Sequence, residues 1–309
     1  MNIVKNRKIY YSISAILIVT SVVAILLWGL RSGIDFSGGS LLEISYEEER
    51  PATEDIIVAV SRAGFADASV RPTEDGFIVR AKEILQDEKD QIFENVSFGG
   101  RFKPIEKTFS NVGPVLGKEA LMKSWVSIAL VLLAIVLFIA FAFRKVSQIS
   151  KFSSAKLPSS WVYGMVTVAA LAHDVLIPTG VAAILGKLRG FEVDTLFVTA
   201  LLVILGFSVH DTIVVFDRVR ENLHKNEEFK EGKDFDEVVG KSIEETIVRS
   251  LNTSLTTLLA ILALFVFGPE SVRNFSLILI IGIAVGTYSS IFIGSPLLVT
   301  IQKYKETRK

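Results

Sequence analysis

Residues 196–216 read LFVTALLVILGFSVHDTIVVF, and this run decides the class of the molecule. As a helix it is about long enough to cross a roughly 30 Å hydrocarbon core, and its one acid and one histidine sit inside an otherwise apolar stretch. Working outward, five further apolar runs have or approach that length: Ile9–Leu30, Trp125–Phe143, Trp161–Leu185, Ile247–Phe267 and Phe275–Ile301. The whole chain agrees. Half of its 309 residues are apolar, 21% are charged and the mean hydropathy is +0.48. A soluble domain carries about 25% charged residues. The expectation is a polytopic α-helical membrane protein with six transmembrane helices. The first run is read as an uncleaved span, since its apolar stretch is too long for a signal peptide and it offers no small-residue cleavage site.

Composition excludes several chemistries. Lys+Arg and Asp+Glu are both 33, so no basic excess points to nucleic acid. With no cysteine there are no disulfides, thiolate metal sites or cysteine nucleophiles. The three histidines, at 173, 210 and 224, include no pair at helical i, i+4 spacing, so an H-E-x-x-H zinc helix is absent. Gly113-Pro-Val-Leu-Gly117-Lys118-Glu119 is one residue short of a P-loop and lacks the Ser/Thr that would hold Mg²⁺. No nucleotide and no metal are expected, and no catalytic constellation marks an enzyme.

Charge orients the spans. Lys5, Arg7 and Lys8 precede the first. Arg144, Lys145, Lys151 and Lys156 lie between the second and third, and Lys303, Lys305, Arg308 and Lys309 outnumber Glu306 in the tail. The positive-inside rule puts both termini in the cytoplasm, and six spans agree, since an even number returns the chain to its starting side. The expected location is the cytoplasmic (inner) membrane, multi-pass. Three segments follow: 1–30 with span 1, an extracytoplasmic domain at 31–124, and a five-helix membrane domain at 125–309 that includes a cytoplasmic loop at 217–248. In that loop Phe235, Val238, Val239, Ile243, Thr246 and Ile247 keep helical spacing. They predict an amphipathic helix that runs into span 5, either lying on the lipid surface or packed on the bundle.

Segment 31–124 carries 12 basic and 17 acidic residues. Leu42, Ile44 and Tyr46 alternate with Glu43, Ser45 and Glu47, which reads as a half-buried strand. Thr53 is placed to cap a helix with Ile56, Ile57 and Val60 on its inner face. Strands at Ser69–Arg71 and Gly76–Lys82 flank a bend at Asp75-Gly76, followed by a helix at Asp87–Val96 and a strand at Phe102–Phe109. Strand-helix-strand repeated twice is a small ferredoxin-like α+β unit.

Ionisable groups at bilayer depth are costly, and they mark function by default. Span 3 holds His173 and Asp174, and Pro178 frees the Asp174 carbonyl from its helical partner. That carboxylate is read either as a place for water or a proton, or as an acceptor for a neighbouring Ser, Thr or His. Span 4 holds His210 and Asp211, with Ser208 on the Asp211 face and Gly206 thinning the helix. Arg249 heads span 5 and is the expected partner of Asp211, in a proton switch or a permanent ion pair. Asp217 and Arg218 read as an interfacial ion network. Gly282-x-x-x-Gly286 gives span 6 a small-residue packing face.

Three stretches resemble the signatures of the SecD/SecF family of protein-export membrane proteins. They are residues 33–40 with Asp35, Gly38 and Gly39, residues 112–117 with Gly113, Pro114 and Gly117, and residues 208–222 with His210-Asp211. His173-Asp174 and the stretch from Arg249 to Leu255 fit the same family, so the resemblance covers nearly the whole chain. It implies a likeness to resistance-nodulation-division transporters and use of the proton motive force, with no cofactor beyond the proton gradient. It implies partnership with SecD, the SecYEG translocon, unfolded secretory polypeptides and membrane lipids. It also implies late translocation and release of secreted chains, with the essential span-4 acid at Asp211 and the span-5 arginine at Arg249. An outer domain of about 90 residues matches the SecF half. The family usually has Asn where this chain has His210, so the imidazole either donates a neutral hydrogen bond or adds a titrating group. Two other classes are a proton-coupled small-molecule or lipid transporter of the same superfamily and a passive translocon scaffold.

Overall fold

The computed structural model describes residues 3–47, 49–73, 75–144, 158–230 and 232–307. The orienting residues Lys145, Lys151, Lys156, Arg308 and Lys309 lie outside them. In chain order the elements are α1 (Arg7–Trp28), α2 (Ile34–Ser37), β1 (Gly39–Tyr46), α3 (Thr53–Arg62), β2 (Ser69–Pro72), β3 (Gly76–Ala81), α4 (Gln86–Val96), β4 (Pro104–Val112) and α5 (Pro114–Ala142). They continue with α6 (Ser160–Arg189), α7 (Thr195–Glu228), α8 (Phe235–Phe267), α9 (Glu270–Ser289), a π-turn (Ser290–Gly294) and α10 (Ser295–Thr307). Among the described residues six helices are long and apolar enough to cross a membrane, the sixth being the continuous stretch Ser271–Tyr304. Two compact units result, Met1–Arg31 with Val126–Lys309, and Ser32–Trp125.

In the smaller unit the four strands are antiparallel in the order β2-β3-β1-β4, the ferredoxin-like topology expected from the pattern. Leu42, Ile44 and Tyr46 face a core completed by Phe77, Val79 and Ile92. Burial raises the Tyr46 phenol above its ordinary pKa, and its hydroxyl donates to Val96 O at 3.2 Å. Three local expectations need correction. Ala52, not Thr53, is the N-cap, with Thr53 already inside the helix. Ile57 points outward at 47% exposure while Ala59 takes the inner position, because the true face follows Ile56, Ala59 and Val60. The bend stops at Asp75, whereas Gly76 opens β3, as the strand assignment has it. A Cβ there would lie 1.9 Å from Ile44 O, so glycine is required by strand approach, not by turn geometry.

In the membrane unit α6, α7 and α9 supply most of the interior, and α1, α5 and α8 expose large apolar side chains such as Leu130, Leu133, Leu255 and Leu259. Such faces suit lipid, which solvates leucine as well as another helix does. Small residues set the helix contacts. A Cβ on Gly180 would meet Ser21 Cβ of α1 at 2.3 Å, and one on Gly282 would meet Ile204 Cδ1 of α7 at 2.1 Å. Gly286 lies against Ser208. The Gly282/Gly286 face therefore packs on α7, as the spacing implies. Gly206 does not behave as expected: it is exposed, and a Cβ there would meet nothing within 4 Å.

The charged ends of the apolar runs are helical too. α7 continues past Phe216 to Glu228, and α8 starts at Phe235 and runs unbroken into span 5. Val238, Val239 and Ile243 are buried with Val215, Val219 and Leu223. The 235–247 helix is thus packed on the bundle through its apolar stripe, which leaves no apolar face to lie on lipid.

Candidate functional site

The two span carboxylates have opposite surroundings. Asp174, on α6, is fully buried. Its Oδ1 bonds His173 Nδ1 at 2.8 Å. Its Oδ2 accepts from Ser208 Oγ of α7 and from Ser289 Oγ of α9, the latter at 2.7 Å. His173 Nε2 in turn meets Ser14 Oγ of α1 at 3.1 Å. One carboxylate thus ties four helices together through three direct partners. Neighbouring Ser and His side chains thus occupy both oxygens of Asp174. Ser208, which shares a helix face with Asp211 in the sequence, bonds Asp174 instead.

Asp211, on α7, is equally buried at 1% exposure, yet among the described residues its one side-chain bond is from Ser254 Oγ of α8 at 3.4 Å. That hydroxyl has a single proton, and the Ser250 carbonyl competes for it at 2.8 Å. Thr287 Oγ1 of α9 donates to Ser254 Oγ at 2.6 Å or to Ile283 O at 2.8 Å. Arg249 does not form the expected ion pair with Asp211 among the described residues. Its side chain is exposed, one helix turn from Thr253, which donates to its carbonyl. Arg249 and His210 nonetheless lie within electrostatic reach of the carboxylate. His210 is exposed, on a different side of α7 from Asp211, as the 100° turn between adjacent helical residues requires.

At the far end of α7 the expected ion network is present. Arg218 holds Glu245 at 2.5 Å and Glu221 at 2.6 Å, and Arg220 meets Asp217 at 2.5 Å. Asn222 donates to Glu245 at 2.8 Å and to Ser242 Oγ at 3.0 Å. These contacts clamp α7 to α8 beyond the apolar run. Ser254 lies in the 249–255 stretch that resembles the family, whereas Ser14, Ser289 and Thr287 carry no signal in the sequence, because an isolated Ser or Thr in a span is uninformative until its partners are known.

Residues 95–304 match the family described as protein export membrane protein SecD/SecF, C-terminal. Protein translocase subunit SecF of Thermobaculum terrenum is 41% identical over 97% of this chain and 93% of its own length. The same subunit of Anaerolinea thermophila is 35% identical over 97% and 93%. The chain belongs to the SecF family of protein translocase subunits. Among solved structures, the translocon-associated membrane protein SecDF from Thermus aligns at TM-score 0.78 and 29% identity over 98% of this chain. A second SecDF structure, in a super-membrane-facing form, aligns at TM-score 0.68 and 28% identity over the whole chain. In both cases the chain spans 39% of the SecDF chain's length.

The glycine signatures of this SecF family member are backbone-packing devices. Gly38 has φ +73°, and a Cβ on it would lie 2.8 Å from Pro114 Cα. Gly39 at φ +121° would clash with Ala81 O at 2.7 Å. A Cβ on Gly117 would reach Phe36 O and Gly38 N at 2.9 Å. The start of α5 therefore seats directly on the α2–β1 turn, backbone against backbone. Gly113 precedes that helix, Pro114 opens it at the position where its missing N–H costs no helical bond, and Asp35 lies in the first turn of α2.

Proposed function

We propose that the chain works with SecD beside the SecYEG translocon, drawing on the proton motive force to drive late translocation and release of secreted polypeptides. Asp211 is the group that loads and releases the proton, with Arg249 and His210 setting its field. The termini and the 217–248 segment face the cytoplasm, and the Ser32–Trp125 unit faces the exterior of the cytoplasmic membrane. The observation that carries this reading is the contrast between the two carboxylates. Asp174 is held by three partners, whereas Asp211 is buried with one long, shared hydrogen bond. A carboxylate held so loosely at span depth is able to change its protonation state without dismantling its surroundings. The energy scale fits: one charge crossing 100 mV yields about 2.3 kcal/mol, and shifting a two-state equilibrium from 1:99 to 99:1 needs about 5.5 kcal/mol.

The test uses inverted vesicles from cells with and without the chain, loaded with a precursor stalled late in translocation. The chain is expected to confer gradient-dependent completion on the vesicles. Gradient-dependent extrusion of a lipophilic dye with no change in precursor completion would point to a small-molecule transporter instead.

A further inference from the structure

From the end of α7 to Asp211, the buried face of α8 carries hydroxyls at every fourth residue: Ser242, Thr246, Ser250 and Ser254. All four are buried, and beyond Ile243 they are joined by no buried apolar side chain of α8. In three of the four the hydroxyl donates back to the carbonyl four residues earlier: Ser242 to Val238, Thr246 to Ser242 and Ser254 to Ser250. Ser250 breaks the pattern. Its Oγ, in a residue 1% exposed, has no hydrogen-bond partner among the described residues. A second such hydroxyl, Thr212 Oγ1, sits beside Asp211 on α7. Leaving a buried hydroxyl unpaired is unfavourable, so close packing alone would be served better by alanine at 250.

The two ends of the row meet the right groups. Ser254 bonds the Asp211 carboxylate. Ser242 accepts from Asn222, which lines an open cleft between α7 and α8 together with Lys225, Val238 and Lys241. Three i, i+4 steps at 1.5 Å per residue span about 18 Å.

We infer that Ser254, Ser250, Thr246 and Ser242 form the relay by which Asp211 exchanges its proton with water in the Asn222–Lys241 cleft. This rests on the proton-coupled reading above and adds its cytoplasmic half-path. In each hop a hydroxyl or an intervening water accepts a proton on one lone pair and gives up its own proton on the other side. Asp211 ends deprotonated, the cleft water gains one proton, and every relay group is returned unchanged. Ser250 is the rung free to turn, because its proton is not committed to a carbonyl.

The experiment compares wild type, Asp211→Asn, Ser250→Val, Ser250→Thr and Thr246→Val in the full complex, in vesicles containing a late-stalled precursor, at matched membrane levels. The readout is the gradient-stimulated rate of completion. Ser250→Val is expected to slow it about a hundredfold or more, within the range ascribed to positioned proton transfer, and Ser250→Thr to restore it. Thr246→Val, which keeps shape and removes only the hydroxyl, decides the matter if Ser250→Val is poorly assembled, and the same loss is expected. Full stimulation in an assembled valine variant overturns the relay while leaving the Asp211 reading intact. A loss in Ser250→Val that threonine does not repair would assign the residue to packing and also overturn it. Absence of any gradient response in wild type overturns the coupling reading and the relay together.

Discussion

Asp174→Ala is expected to destabilise the helix bundle by several kcal/mol and to reduce its level in the membrane severely. The substitution leaves Ser208, Ser289 and His173 without their shared acceptor at the meeting point of α1, α6, α7 and α9. Each buried polar group so orphaned costs about 1–3 kcal/mol, and a native protein's whole stability is about 5–15 kcal/mol. Asp174→Asn keeps an acceptor oxygen for the serines and should fall between alanine and wild type. Asp211→Asn puts only one 3.4 Å bond at stake and should leave stability almost unchanged. Thermal unfolding of the three variants in one detergent checks this order. Equal melting of Asp174→Ala and wild type would show that Asp174 does not hold the helices together.

Gly76→Val is expected to unfold the Ser32–Trp125 unit. Ser45 and Gly76 are paired across β1 and β3, and a Cβ at 76 would lie 1.9 Å from Ile44 O and 2.7 Å from Ser45 Cα. Both obstacles are backbone, so relief requires separating the two central strands, and with them the contact of Leu42 and Ile44 with Phe77 and Val79. A unit of this size buries only a modest core and has little reserve against a loss of several kcal/mol. Limited proteolysis of the full-length protein in membranes should cut the variant rapidly within 32–125 while the spans stay protected. A protease pattern like that of wild type would mean that β1 and β3 approach less closely at this point.

Much of this architecture is legible from residue order, because the deciding signals are local. Apolar runs near 20 residues mark spans, and the alternation at Leu42, Ile44 and Tyr46 marks a strand. Helix ends are less legible. α5 begins at Pro114 and α7 runs to Glu228, since charged residues outside the hydrocarbon remain good helix formers, and hydropathy registers only the membrane-buried part. Asp174 and Asp211 stand out as charges within apolar runs. Their partners do not: Ser14 and His173 are 159 residues apart and Ser289 and Asp174 are 115 apart, so no spacing rule connects them. Arg249 illustrates the limit of chain-order pairing, because the helix rotation that turns Ser250 and Ser254 inward leaves Arg249 exposed.

The most direct measurement of the central claim is the completion rate of a late-stalled precursor in inverted vesicles, wild type against Asp211→Asn, with and without an imposed proton gradient, at equal membrane levels. The expected result is stimulation by the gradient in wild type and none in Asp211→Asn, with the variant as stable as wild type. Equal stimulation of both proteins would contradict the assignment of Asp211 as the coupling carboxylate.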